Sequence, residues 1–249
     1  MQDETVIAEF TQQAESFNAS PSSRAVDGLV SLAAPAPDER WLEVACGPGI
    51  LSRALAPHAR QVHGVDLTPA MIEVARREAA AAGAGNVTFE RGDATALNLP
   101  AATFDGAISR YSIHHVPAPS RLFAELVRVV RPGGRVILAD TVADTDADAA
   151  AWSEEIERLR DPSHWACLPV ARLRAMGEHA GLSLEHDELV PLVLDFEDWL
   201  ERGSGGPGAR PVIEHLLRER PRTAECFRVE ERRGTRVLEF RVWLSRWAR

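Results

Sequence analysis

The chain has 249 residues, enough for one α/β domain with an elaboration or for two small domains. It is 45% hydrophobic and 26% charged, an ordinary balance for a globular protein, and its formal net charge is −9. That charge argues against a nucleic-acid backbone as the main partner, because phosphate binding needs a basic face. No lysine occurs, so all 28 basic residues are arginine and no lysine is available as a general base or Schiff-base former. Cys46, Cys167 and Cys226 are far apart and offer neither a zinc spacing nor a disulfide framework, so no metal is expected. The acidic start MQDETVIAEF lacks a secretory apolar core, and no run approaches the roughly 18–20 apolar residues needed to span a bilayer. A cytoplasmic location without membrane contact is the expectation.

Residues 3–17 read as a helix, with Val6, Phe10, Ala14 and Phe17 recurring at three- and four-residue steps. NASPSSR (18–24) reads as a turn, and a second helix is expected over 25–32 before APAPDER. Strands and helices then alternate. WLEVA is a first strand, ILSRALAPHA a helix and QVHGVDL a second strand. PAMIEVARREAAAAG is a long helix ending at Gly83, with Thr68 as its N-cap and Pro69 in its first turn. NVTFERGDA and FDGAISRYS are the third and fourth strands. A helix over 120–131 closes at Pro-Gly-Gly, and RVILADTV is the fifth strand. This rhythm predicts a parallel, doubly wound sheet that binds ligands at the carboxyl ends of its strands. Beyond it come helices over 144–160 and 171–180, a strand over 182–194, and a flexible loop SGGPGAR (204–210). Two final strands are joined by a turn at Arg233-Gly234.

Glu43-Val44-Ala45-Cys46-Gly47-Pro48-Gly49 carries the first chemistry. Glycines let a ligand approach the backbone closely. A dinucleotide fold would place a third glycine where Ser52 stands, and Pro48 removes a donor that a phosphate would use. Glu43 repels phosphate and suits a ligand with a cationic amine, such as S-adenosylmethionine. Asp66 closes the second strand 19 residues after Gly47, a spacing at which a carboxylate accepts from both ribose hydroxyls. Met71 sits where it can pack on adenine. Asp93, in Arg91-Gly92-Asp93-Ala94, can accept from the adenine amino group while the next backbone N–H donates to the ring.

With LEVACGPGIL, VDLTPAMIEVA, GDATALNLP, FDGAISRYSIHHV and RVVRPGGRVILAD in this order, the chain resembles the class I S-adenosylmethionine-dependent methyltransferases. The branch it resembles includes ubiquinone and menaquinone biosynthesis methyltransferases. Glu43, Ala45 and Pro48 depart from the residues usual there, namely Asp, Gly and Thr. The resemblance implies a Rossmann-like, doubly wound α/β sheet of seven strands, the last antiparallel. A helical cap (1–35), a cofactor core (36–143), a substrate-side helical segment (144–181) and C-terminal strands and helices (182–249) would make one domain. It implies that Glu43 and the backbone of Ala45, Cys46, Gly47 and Gly49 hold the methionine end. Asp66 and Leu67 would serve the ribose, and Met71, Gly92, Asp93 and Ala94 the adenine. Arg110 would lie beside the methionine moiety or the transferring methyl and His115 on the cofactor side, with S-adenosylhomocysteine as product. Phe10, Gln13 and Phe17 would form a lid, ordered only when the cofactor binds.

Methyl transfer from a sulfonium needs alignment and exclusion of water, and needs a base only when the acceptor must lose a proton. The histidines His114, His115 and His164 are the base candidates, because imidazole titrates near neutrality. Tyr111, His164 and Trp165 are placed on the acceptor side. Trp152 and Trp199 read more readily as packing under surface helices, and the arginine runs RERPR and ERRGTR as solvated faces. The expected acceptor is a small molecule, a natural product or quinone-like metabolite. Ser109-Arg110-Tyr111-Ser112 stands where a base-methylating enzyme would carry its Pro-Pro-Tyr motif. An enzyme of the same fold that cyclises or rearranges its substrate without methyl transfer is the alternative. The oligomeric state stays open, a homodimer among the options.

Overall fold

The computed structural model describes residues 2–19 and 26–249. Helix α1 (Gln2–Ala19) extends past the expected 3–17 and takes in Asn18 and Ala19, while the rest of the turn expected over 18–24 lies outside the described residues. Helix α2 (Asp27–Ala33) leads into β1 (Arg40–Val44), whose Trp41, Leu42 and Val44 are fully buried. A strand apolar on both faces belongs inside a parallel sheet. Helix α3 (Ile50–Leu55) returns the chain to β2 (Gln61–Asp66), and α4 (Pro69–Ala81) to β3 (Val87–Arg91). Thr68 does hold the N-cap position of α4, but its side chain makes no capping bond.

The chain then crosses to the other side of β1 for β4 (Phe104–Arg110), α5 (Pro119–Val129) and β5 (Val130–Thr141). The helix expected to run through Arg131 stops at Val129. Pro132 disfavours helical geometry at the residue before it, and Val130 is already extended opposite Phe104. Residues 131–134 loop out before Arg135 rejoins the ladder opposite Gly106. Because β1 lies between β2 and β4, the carboxyl ends of β1 and β4 flank a topological switch, where a doubly wound sheet opens a crevice.

Beyond β5 lie α6 (Ala147–Arg160), α7 (Val170–His179), β6 (Ser183–Asp195), α8 (Phe196–Arg202), α9 (Gly206–Arg218), β7 (Phe227–Arg232) and β8 (Thr235–Ala248). The path β3-β2-β1-β4-β5-β8-β6 has the seven strands expected, with β8 antiparallel between β5 and β6. An eighth strand, β7, pairs with the first half of β8 across the turn at Arg233 and Gly234, where both φ angles are positive. The loop expected over 204–210 is in part helix. Pro207 stands in the first turn of α9, where its missing N–H costs nothing. Its neighbouring glycines serve close packing: a Cβ on Gly206 would lie 2.0 Å from the Leu200 carbonyl oxygen, and one on Gly205 2.3 Å from that of Leu159.

One face of the sheet packs Leu42, Val44 and Leu138 against Leu122, Phe123 and Leu126 of α5, with Leu173 of α7 in the same core. The other packs Trp41, Ile108 and Ile137 against α2 and α3. Trp152 and Trp199 join Phe227 and Phe240 in a separate aromatic cluster under α6, α8 and β7, so they are packing residues. Helix α1 lays Phe10, Ala14 and Phe17 on Met71 and Val74 of α4, and Arg77 grips Glu15 through two 2.8 Å bonds. Among the described residues, no helix is long and apolar enough to cross a membrane.

Candidate active site

A cavity of about 330 Å³ opens over the carboxyl ends of β1, β2, β3 and β4, and α1 covers it. Its floor is a row of carboxylates, each delivered by a strand end. Glu43 is almost fully buried and accepts a very short hydrogen bond from the Ser52 hydroxyl at the start of α3. Burial raises its pKa to about 7, against the opposing pull of Ser52 and the Arg110 guanidinium. Asp66 ends β2. Its two oxygens accept from the Gly47 and Thr68 N–H groups, each at 2.8 Å, and the Thr68 hydroxyl bonds it as well, which fixes the carboxylate. Burial raises its pKa also, with those two N–H bonds opposing. Asp93 accepts from the Thr95 N–H at 2.7 Å and from the Thr95 hydroxyl. The Gly92 N–H donates to the Asp66 carbonyl at 2.9 Å, tying the β2 and β3 ends together.

The turn after β1 winds through positive φ at Ala45 (52°), Gly47 (51°) and Gly49 (71°). Ala45 therefore carries the strain that a glycine at this place would avoid, of order 1–2 kcal/mol. Gly49 is required on two counts: its φ, and a Cβ that would sit 2.5 Å from the Phe89 ring. At the top of β4, Tyr111 also has a positive φ (54°), and the Arg110 guanidinium stacks 5.1 Å above its ring. Strain of this kind clusters where a surrounding structure fixes a site.

Asp140, at the end of β5, organises the acceptor side. One of its oxygens accepts the Ser112 and Ile113 N–H groups at 2.9 and 2.6 Å, which starts the 3-10 turn Ile113–His115. The other lies 2.5 Å from His114 Nδ1. Burial works against a charge on His114, but the Asp140 carboxylate outweighs it and lifts the pKa above the ordinary value. For His115 burial, reinforced by the neighbouring His114 charge, drives the pKa down and keeps the ring neutral. His115 Nδ1 lies 3.1 Å from the Ser163 carbonyl oxygen, and Phe10 packs edge-on against the ring at 4.9 Å.

The structure brings most of the expected site residues to the cavity wall: Glu43, Ala45, Cys46, Gly47, Asp66, Leu67, Met71, Gly92, Asp93, Ala94, Arg110, Tyr111, His115, Phe10 and Phe17. Five stand elsewhere. Gly49 shapes the turn from behind. The buried Gln13 side chain donates to Glu9 at 2.6 Å, so it belongs to the packing of α1 and not to a lid. His114 is held behind the wall by Asp140. His164, expected on the acceptor wall, is buried between Glu154 and Glu157 of α6, because Asp161 and Ser163 wind a tight turn that directs it inward. Trp165 is 46% exposed and forms no part of the cavity. Asp140 is the organising residue that sequence reasoning passed over, although a carboxylate at a strand end is the same signal as Glu43 and Asp66. Val6, Val116 and Pro117 add apolar wall, and Arg121 a rim charge.

The donor set tests which ligand fits. A carboxylate beside a guanidinium (Glu43, Arg110) matches an amino-acid zwitterion, and Asp66 matches a diol. Among the described residues that line the cavity, the only cations are Arg110 beside Glu43 and Arg121 at the rim, which do not make a basic cradle for pyrophosphate. The family described as a methyltransferase domain matches residues 42–138. The chain is 32% identical over 181 residues to the uncharacterized methyltransferase YcgJ of Bacillus subtilis (strain 168), spanning 72% of this chain and 71% of that one. The solved YcgJ structure superposes with a TM-score of 0.83 at 26% identity, over 90% of this chain and 97% of that one. A solved structure from Bacillus halodurans C-125 gives the same TM-score and identity over 90% and 98%. Aklanonic acid methyltransferase DauC of Streptomyces sp. (strain C5) is 33% identical over 120 residues, 46% of this chain and 53% of that one.

Proposed function

The chain belongs to the class I S-adenosylmethionine-dependent methyltransferases, and we propose that it methylates a phenolic or enolic natural product or quinone-like metabolite. The observation that carries this reading is the cavity itself. The carboxylate row lies at one side, and an apolar wall of Val6, Phe10, Val116 and Pro117 extends beyond it. DauC and the quinone methyltransferase resemblance give the same direction for the acceptor. When bound, the cofactor supplies an activated methyl group on a sulfonium.

The protein's own residues then do the rest. Glu43 and Arg110 take the two charges of the methionine end, Asp66 takes the ribose hydroxyls, and Asp93 with the Ala94 N–H reads adenine against Met71. Phe10 and Phe17 close the cavity and keep water from the reacting centre. Of the three candidate histidines, His115 is the one whose ring faces the cavity. Held neutral, with Nδ1–H donating to Ser163, it presents Nε2 as the acceptor for an acceptor hydroxyl proton. His114 and Asp140 position it.

Incubation with S-adenosylmethionine and a panel of hydroquinones and aromatic polyketides tests the reading by mass spectrometry. Acceptor-dependent S-adenosylhomocysteine and a product heavier by one methylene support it. A product of unchanged mass without S-adenosylhomocysteine would instead establish cyclisation or rearrangement on this scaffold.

A further inference from the structure

Glu154, His164 and Cys167 converge outside the cavity, and they bring one oxygen, one nitrogen and one sulfur donor within 4.8 Å of one another. His164 Nε2 lies 3.2 Å from a Glu154 oxygen, and the Cys167 N–H donates to the other at 2.7 Å. Cys167 Sγ has the Thr141 hydroxyl at 3.3 Å. Glu154 also holds Arg158 at 3.1 Å. The second feature is on the far side of the imidazole. His164 Nδ1, on a side chain 1% exposed, has no hydrogen-bond partner. It faces the buried Glu157 carboxylate at 3.9 Å, whose Oε1 is also without a partner. With the proton on Nε2, two lone-pair-bearing atoms confront each other there in a dry interior, which is costly.

We propose that Glu154, His164 and Cys167 form a binding site for a zinc-like divalent cation, with Glu157 as the outer partner of the histidine. A cation on Nε2 moves the ring proton to Nδ1, and Nδ1–H then donates to Glu157. This is the carboxylate–histidine–metal arrangement of many zinc sites. Thiolate, imidazole and carboxylate together select a borderline-soft cation over magnesium or calcium. Binding breaks the Cys167 S–H bond, forms the metal–sulfur bond and releases the proton to solvent. At ordinary zinc bond lengths tetrahedral donors stand roughly 3.3–3.7 Å apart, so closing the site needs a side-chain shift of about 1 Å. A groove along α6, lined by Ala151, Glu154, Glu155, Arg158 and Leu159, reaches Glu154 from solvent and provides the way in.

The site pins α6 to the 161–168 segment. That segment in turn donates the Trp165 and Ala166 N–H groups to the His114 carbonyl at 2.8 and 3.1 Å. A bound cation would thus stiffen the turn that carries His114 and His115. The sequence hides the set because Glu154 lies 10 and 13 residues before the other two ligands, on a different element.

The test is titration of the chelator-treated full chain with Co²⁺ and then Zn²⁺. One equivalent of Co²⁺ should give a thiolate-to-cobalt charge-transfer band, which Zn²⁺ displaces, and calorimetry in two buffers should show proton release. Glu157→Gln should weaken Zn²⁺ binding by about 10–100-fold. Cys167→Ser should abolish the band and weaken Zn²⁺ by more than that, while Cys226→Ser leaves both unchanged. Should Cys167→Ser not fold, Zn²⁺ must still protect Cys167 of the wild-type chain from iodoacetamide. Absence of the band and of protection would overturn the proposal. So would a band that survives Cys167→Ser, or equal stabilisation by Mg²⁺.

Discussion

The carboxylate row under the cavity and the polar cluster beyond β5 are both buried, yet they are built on different rules. Glu43, Asp66 and Asp93 each stand at or just past the end of a parallel strand, and each is fixed by a backbone N–H or a hydroxyl of the nearby turns and helix starts. Their partners lie within about twenty residues of them in the chain. Asp140, His114, Glu154, Glu157, Asp161, His164 and Cys167 come from four separate elements and meet only through tertiary packing. The first region is assembled from neighbouring strand–turn–helix units, whose turns tie the β1, β2 and β3 ends together. The second is a brace that exists only in the folded chain, and its groups hold one another's charges.

If that contrast is right, breaking the brace should cost stability and breaking the floor should cost binding. The largest effect is expected for Asp140→Asn. It removes the charge facing His114 and weakens the cap on the 3-10 turn, for about 2–3 kcal/mol and a melting temperature lower by about 5–10 °C. The pH dependence sharpens this. His114 has a raised pKa, so its contribution is present below its ordinary 6.5 and is lost as pH rises through the folded value. Asp140 has a lowered pKa, so its contribution is present above its ordinary 3.8 and is lost as pH falls through the folded value. The gap between wild type and Asp140→Asn should therefore be widest between about pH 4 and 6.5, and chemical denaturation across that range measures it.

Glu43→Gln comes next. It should weaken S-adenosylmethionine about 10–100-fold, because a buried charge-assisted bond to the ammonium group is lost, with little change in melting temperature. Since Glu43 titrates at about 7, wild-type affinity should fall as pH drops below 7, up to about tenfold per unit. The Gln variant should lose that dependence. His115→Asn should lower turnover of a phenolic acceptor by about 10²–10⁴-fold, while cofactor affinity, read by calorimetry, stays within a few-fold. The smallest effect is expected for Ala45→Gly. Relief of the positive φ outweighs the added chain entropy by about 0.5 kcal/mol, which thermal melting would show as a rise of about 1–2 °C.

The same contrast explains what could be read from the chain. The parallel strands, a ligand site at their carboxyl ends and the three floor carboxylates follow from short apolar runs, glycine spacing and strand-end acids. All of these are local signals. Asp140 bears the same signal, but its place inside the strand-like run RVILADTV hides it. His164 could not be placed. DPSH announces a turn, but which way the turn throws its histidine depends on Glu154 and Glu157, a helix away. The glycines of SGGPGAR suggest flexibility, yet Gly205 and Gly206 are there because carbonyls of α6 and α8 approach too closely for a side chain. Pro132 excludes Arg131 from α5, a local effect, but the helix already ends at Val129 because Val130 pairs with Phe104 of β4.

The central claim is that the carboxylate floor holds a methyl donor. Calorimetry with S-adenosylmethionine, S-adenosylhomocysteine and NADH, on wild type and Asp66→Ala, tests it most directly. Micromolar binding of both sulfur ligands to the wild type, a loss of about 100-fold or more in Asp66→Ala, and no binding of NADH are the expected results. NADH binding alone, or sulfur-ligand affinity unchanged by Asp66→Ala, would contradict it.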